Sequence, residues 1–156
     1  MSRELVILWA GRRERGGVEE LCRDYRARIE RFTAVREVVV KARGGSDDPG
    51  RLREEGRALL AALPEPCFTV ALDVRGRALS SEELAEWLAR LRENWPHPIA
   101  FLVGSDLGLA DEALAAARFR LSFGPITLPH ELARLVLLEQ LYRALSIAAG
   151  INYHRA

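Results

Sequence analysis

The stretch Ile99-Ala100-Phe101-Leu102-Val103-Gly104-Ser105-Asp106-Leu107-Gly108 decides the fold. An unbroken apolar run breaks into a glycine-bearing turn, and an alanine-rich helical segment follows. A run without polar alternation is the pattern of a strand covered on both faces, which is how parallel sheets are built. The same unit recurs outward from this point. Leu5-Val6-Ile7-Leu8-Trp9 is a second such run, and Val35 to Val40 and Cys67 to Leu72 read as further strands. Phe119 to Phe123 follows before the terminal helix.

Helical periods lie between these runs. Val18, Leu21, Cys22, Tyr25, Ile29 and Phe32 follow helical spacing after Gly16-Gly17, and Leu52, Leu59, Leu60 and Leu63 mark a helix that stops before Pro64. Ser80 with Glu83 makes a capping box ahead of Leu84, Trp87, Leu88 and Leu91. Residues 43–50 read as a polar, glycine-rich loop, and Arg75-Gly76 as a turn closing the strand that ends at Asp73. The terminal helix runs from Pro129 to about Ala149, with Gly150 just past its end. This alternation predicts an α/β fold: a mostly parallel sheet with helices on both faces, in a single domain over residues 1–156. Ligands of such sheets bind beyond the carboxyl ends of the strands. That rule selects the turn after Leu72, the Gly104 loop and the segment Phe123 to Leu128.

Composition narrows the function classes. Hydrophobic residues make up 49% and charged residues 29%, the balance of a globular protein rather than a disordered one. The net charge of +1 gives no general electrostatic case for nucleic acid. Lys41 is the only lysine, so nearly all positive charge is arginine. That bias suits phosphate recognition, but a GC-rich genome or a warm habitat is the favoured explanation. Cys22 and Cys67 have neither disulfide-framework nor zinc-site spacing and read as core thiols, so no metal is expected. With no signal-peptide pattern and no membrane-length apolar run, the expected location is the cytoplasm, without a membrane partner.

Motifs exclude more than they include. No GxGxxG and no GxxxxGK[ST] occurs, which weighs against a nicotinamide dinucleotide or ATP site, and no Gly-x-Ser-x-Gly is present. Taken alone, the Gly104 loop reads either as a cradle for a cofactor or as a strand-to-helix turn needing positive φ. Glu139 and Arg143 are an i,i+4 pair whose default meaning is helix support. His97, between prolines, reads as a turn residue, and His130 sits in the first turn of the terminal helix. Aromatic, imidazole and guanidinium groups close the chain as Tyr153-His154-Arg155, where termini normally tolerate any residue. The terminal helix is apolar nearly all round: Leu132, Leu135, Val136 and Ile147 fall outside the stripe Leu137, Leu141, Ala144, Leu145 and Ala148. Such a helix needs cover on more than one side, and a second subunit is one source of it.

Leu128-Pro129-His130, Glu139 to Ala144 and the closing Tyr153-His154-Arg155, together with Leu72-Asp73 and the Gly104 loop, resemble the RlmH family. These are ribosomal RNA large-subunit pseudouridine methyltransferases within the SPOUT class of α/β-knotted methyltransferases. The resemblance spans the whole chain. It departs at the loop, where the family pattern is close to Gly-Gly-Pro-Glu-Gly and this chain has Gly104-Ser105-Asp106-Leu107-Gly108.

The resemblance implies a C-terminal trefoil knot, an exception to the usual unknotted connections. It implies S-adenosyl-L-methionine held by Leu72, Gly104, Phe123, Gly124, Pro125, Ile126, Thr127 and Leu128, and methylation of N3 of a pseudouridine in large-subunit (23S) ribosomal RNA. It also implies a homodimer acting on the ribosome, with His154 as candidate base, Arg155 and Tyr153 as positioning groups, and His130 shaping the pocket. Two other readings stand beside it: a SPOUT methyltransferase for another RNA position, and a non-catalytic ribosome-associated RNA-binding protein that keeps the fold.

Overall fold

The computed structural model describes residues 3–12, 15–41 and 47–153. Strands β1 (Leu5–Ala10), β2 (Val35–Val40), β3 (Phe68–Ala78), β4 (Ile99–Val103) and β5 (Phe119–Ser122) form one sheet in the order β2-β1-β4-β3-β5. Every pairing between them is parallel, in keeping with the unbroken apolar runs of the central strands β1 and β4. The helices are α1 (Gly17–Ile29), α2 (Asp48–Ala61), α3 (Ser81–Asn94), α4 (Asp111–Ala116) and α5 (His130–Ala148).

Side-chain alternation sends each strand into two cores. Leu5, Ile7, Trp9, Ile99, Phe101 and Val103 pack with Cys22 and Ile29 of α1, Leu84 and Leu88 of α3, and Leu137, Leu138, Leu141 and Leu145 of α5. Val6, Leu8, Ala100 and Leu102 pack on the opposite face with Leu59 of α2 and Ala113 of α4. Fully burying one such side chain stabilises the fold by about 1.5–3 kcal/mol, so the central strands anchor both layers. Helix α5 packs against both α1 and α3. Half of the apolar excess read on this helix finds cover within the chain: Leu135 and Ile147 pack on the same core, while Leu132 stays 40% exposed and Val136 is partly exposed.

Three local readings are corrected. Strand β3 does not end at Asp73: it leaves the ladder after Leu72 and rejoins it at Arg77, both residues aligned with Leu121 of β5. Gly76 permits this excursion, since a Cβ there would stand 2.6 Å from the Arg120 carbonyl oxygen. Helix α2 starts inside the expected loop, because Asp47 accepts a hydrogen bond from the Gly50 N–H at 2.7 Å and Pro49 fits the first turn. Leu21, placed on the buried face of α1, is 48% exposed. The capping box holds, with Glu83 N–H donating to Ser80 Oγ at 3.1 Å and Ser80 N–H to Glu83 Oε1 at 2.8 Å.

Candidate functional site

A cleft of about 730 Å³ opens at the carboxyl ends of β3, β4 and β5. The three sheet-end loops selected from the sequence meet there. Leu72 and Asp73 line one side, Gly104 to Leu109 another, and Phe123, Gly124, Ile126, Thr127 and Leu128 a third, with Pro129 and His130 at the entry to α5. Pro125 is exposed and does not line the cleft. Leu72, Val103, Leu121 and Leu128 give the walls an apolar surface. Its size lies within the range of about 300–1,000 Å³ typical of small-molecule sites.

The floor is backbone. Gly104 lies so close to Gly108 that a Cβ would stand 2.5 Å from the Gly108 carbonyl carbon, so no other residue fits without moving main chain. Gly108 (φ +80) and Gly124 (φ +99) take conformations that disfavour side chains, and nothing occupies the space where their Cβ atoms would sit. Gly108 N–H donates to the Ser105 carbonyl at 2.9 Å, and Leu107 N–H donates to Ser105 Oγ at 3.2 Å. Ser105 Oγ in turn donates to Glu55 Oε1 at 2.6 Å, and Arg51 Nη2 donates to both Asp106 carboxylate oxygens at 2.9 and 3.0 Å. At the rim, Asp73 Oδ1 accepts from the Arg75 N–H at 3.2 Å, while Asp73 Oδ2 is buried with no hydrogen-bond partner.

Behind His130 lies a buried charge network that the sequence reading missed. The His130 ring stacks on Trp9 at 6.0 Å, and Arg134, one helical turn on, lies over the same indole. Arg134 donates through Nε and Nη2 to Glu37 at 3.0 and 2.8 Å and through Nη2 to Glu19 at 3.0 Å. Arg26 also pairs with Glu37, and with Glu19 at 3.6 Å. Burial opposes the Arg134 charge, and the hydrogen bonds of Glu37 and Glu19 overcome that opposition, so its pKa is raised. Leucine spacing on α5 hid this network, because its partners lie on α1 and β2.

Tyr153 is at the other end of α5. Its hydroxyl lies 3.2 Å from the Tyr25 hydroxyl and donates to Glu139 Oε1 at 3.4 Å, and its ring meets Tyr142 edge-on at 4.5 Å. Glu139 also takes Arg143 Nε at 2.9 Å, so the i,i+4 pair serves the tail as well as the helix. Burial, then the Tyr25 hydroxyl, push the Tyr153 phenol well above its usual range. A 19-residue helix rising about 1.5 Å per residue is about 28 Å long, so Tyr153 and His130 are not brought together within one chain. His154 and Arg155 lie outside the described residues. Among the described residues, no group of three or more His, Cys, Asp and Glu side chains is placed to hold a metal ion, and no helix is long and apolar enough to cross a membrane.

The chain matches, over residues 4–154, a family described as "Predicted SPOUT methyltransferase". A ribosomal RNA large subunit methyltransferase H from Rubrobacter xylanophilus is 47% identical over 99% of both chains. The protein of the same name from Desulfotalea psychrophila is 38% identical over 99% of this chain and 100% of its own. Among solved structures, a probable methyltransferase from Bordetella pertussis Tohama I superposes with a TM-score of 0.54 at 19% identity, covering 92% of this chain and 96% of that one. A probable methylase family protein from Haemophilus influenzae Rd KW20 gives 0.52 at 13% identity, over 99% of this chain and 71% of that one. At these identities the two structures speak for the fold alone.

Proposed function

The chain belongs to the SPOUT methyltransferase family, and on that premise we propose that it methylates N3 of a pseudouridine in large-subunit ribosomal RNA. It is a methyltransferase whose donor is S-adenosylmethionine. One observation carries the assignment of the donor site: Leu72, Gly104, Phe123, Gly124, Ile126, Thr127 and Leu128 converge on one cleft at the strand ends. The residues present fit an adenosyl cofactor. Gly108 and Gly124 leave the space beside their backbone free for a ligand to approach closely, and the leucine and valine walls suit a flat purine. Asp73 Oδ2 is an unpartnered buried acceptor at the rim, suited to a hydroxyl or ammonium donor.

When bound, the cofactor supplies a methyl group already electrophilic on its sulfonium sulfur. The work left to the chain is alignment of N3 with that methyl and removal of the N3 proton. His154 is the proposed proton acceptor, with Arg155 and Tyr153 holding the base or its phosphate, and His130 shapes the wall of the donor pocket. A tail tethered at the far end of α5 serves the pocket of a second copy rather than its own. The functional unit is accordingly a homodimer with the trefoil-knotted C-terminal region of its family, acting on the ribosome in the cytoplasm.

Calorimetric titration with S-adenosylmethionine, alongside light scattering, tests the donor and the subunit count. Mass mapping of ribosomal RNA after incubation with ribosomes tests the position. Binding by a dimer and one added methyl on a pseudouridine N3 are expected. A methyl elsewhere favours another SPOUT specificity, and no methyl with ribosomes present overturns the catalytic reading.

A further inference from the structure

Helix α2 contributes no residue to the lining of the donor cleft, yet three contacts join it to the segment that forms the floor. Glu55, buried, accepts the Ser105 hydroxyl at 2.6 Å. One helical turn earlier, Arg51 grips the Asp106 carboxylate at 2.9 and 3.0 Å and lies 3.7 Å from Glu55. Beside them, a Cβ on Gly56 would stand 2.7 Å from Ala110 Cβ, so α2 and the end of the loop meet without room for one methyl. The turn contains no proline to fix its dihedrals, and Ser105 has both its hydrogen-bonding roles filled, donating to Glu55 and accepting from Leu107 N–H.

We infer that Arg51 and Glu55 are positioning residues for the donor site, holding the Ser105-Asp106-Leu107 turn so that its backbone faces the ligand. Neither lines the cleft, so both act through the loop. Glu55 fixes Ser105, which fixes the Leu107 peptide. Arg51 ties down the exposed Asp106 side chain where it lines the cleft. The inference rests on the reading of the cleft as the S-adenosylmethionine site.

The test measures S-adenosylhomocysteine binding by calorimetry in the full chain and in Glu55→Ala, Glu55→Gln, Ser105→Ala and Arg51→Ala, each with a ligand-free thermal melt. Glu55→Ala and Ser105→Ala are expected to weaken binding about tenfold or more, the scale of a lost charge-assisted hydrogen bond, and Arg51→Ala, which breaks a solvent-exposed pair, by about two- to fivefold. Glu55→Gln keeps an acceptor for Ser105 and should restore most of the affinity. In turnover assays the cofactor KM should rise while kcat at saturation holds. Unchanged affinity in Ser105→Ala, a variant mild enough to fold, overturns the inference while leaving the donor site intact. Equal losses in Glu55→Gln and Glu55→Ala that follow the melting temperature reduce α2 to a structural support and overturn it too. Absence of binding in the unsubstituted chain with ribosomes present defeats the donor-site reading itself.

Discussion

Arg134 holds its guanidinium carbon 4.1 Å from the centroid of the Trp9 ring, and that same indole stacks on His130 at the mouth of the cleft. The last residues of β1 thereby connect a buried ion network to the wall of the site. Arg134 is 2% exposed and Glu37 9% exposed, so the network lies inside the molecule rather than on it. Its members come from β2, α1 and α5, and it closes the layer on that side of the sheet.

Replacing Arg134 by methionine should therefore be strongly destabilising. It removes three hydrogen bonds and leaves the buried Glu37 carboxylate short of a principal partner. Breaking one side of such a network costs about 3–5 kcal/mol. For a chain of this size that lowers the melting temperature by at least about 6 °C. A thermal melt within about 2 °C of the parent protein would show that the pairs only balance their own desolvation.

Gly104→Ala and Gly124→Ala separate steric from conformational demands at the cleft. The first adds a methyl 2.5 Å from the Gly108 carbonyl carbon and has to displace main chain. The second adds a methyl to open space at φ +99, where the penalty is strain of about 1–2 kcal/mol. Calorimetry should find S-adenosylmethionine binding lost in Gly104→Ala and weakened much less in Gly124→Ala, with a modest fall in melting temperature for the latter. Equal affinities in the two variants would remove the Gly104–Gly108 approach from the binding site.

What was legible in the sequence follows from range. The strands announce themselves because both faces of Leu5–Ala10 and Ile99–Val103 are buried, and the cleft follows from strand direction once the sheet is parallel. Contacts across the chain were not legible. Arg134 lies 97 residues from Glu37, and Glu55 lies 50 from Ser105, with no local pattern to mark either pairing. Asp73 was visible as the last residue of a strand but not as a buried acceptor, because the β3 excursion that buries it depends on Gly76 meeting the β5 backbone. Tyr153 was singled out for its position in the tail, and its anchoring by Tyr25 and Glu139 comes from helix packing that spacing does not encode.

Cys22 gives the stability a pH dependence at the alkaline end. Burial foremost pushes its thiol up from 9.0 to about 11, against the attraction of Arg134. The folded chain thus keeps the proton that the unfolded chain begins to release near pH 9. The stabilisation is complete below that pH and is lost as pH rises toward 11, by up to about 1.4 kcal/mol per unit. Urea unfolding at a series of pH values should show a steeper alkaline decline for the parent protein than for Cys22→Ala. Parallel curves would mean that the thiol ionises equally in both states.

The separation of His130 and Tyr153 along α5 makes complementation the sharpest test of the dimeric site. A chain carrying Gly104→Val has no donor cleft but keeps its tail, and a chain lacking residues 153–156 keeps the cleft but has no tail. Each alone should be inactive, while the tail-less chain should still bind S-adenosylmethionine. In a mixed dimer, the intact tail meets the intact cleft at one of the two sites. Equal co-expression should thus recover about a quarter of parental turnover, since half of the randomly assembled dimers are mixed. Full activity of the tail-less chain alone would remove the tail from catalysis. Inactivity of verified mixed dimers would place tail and cleft in the same subunit, which requires the last residues to cross the length of α5.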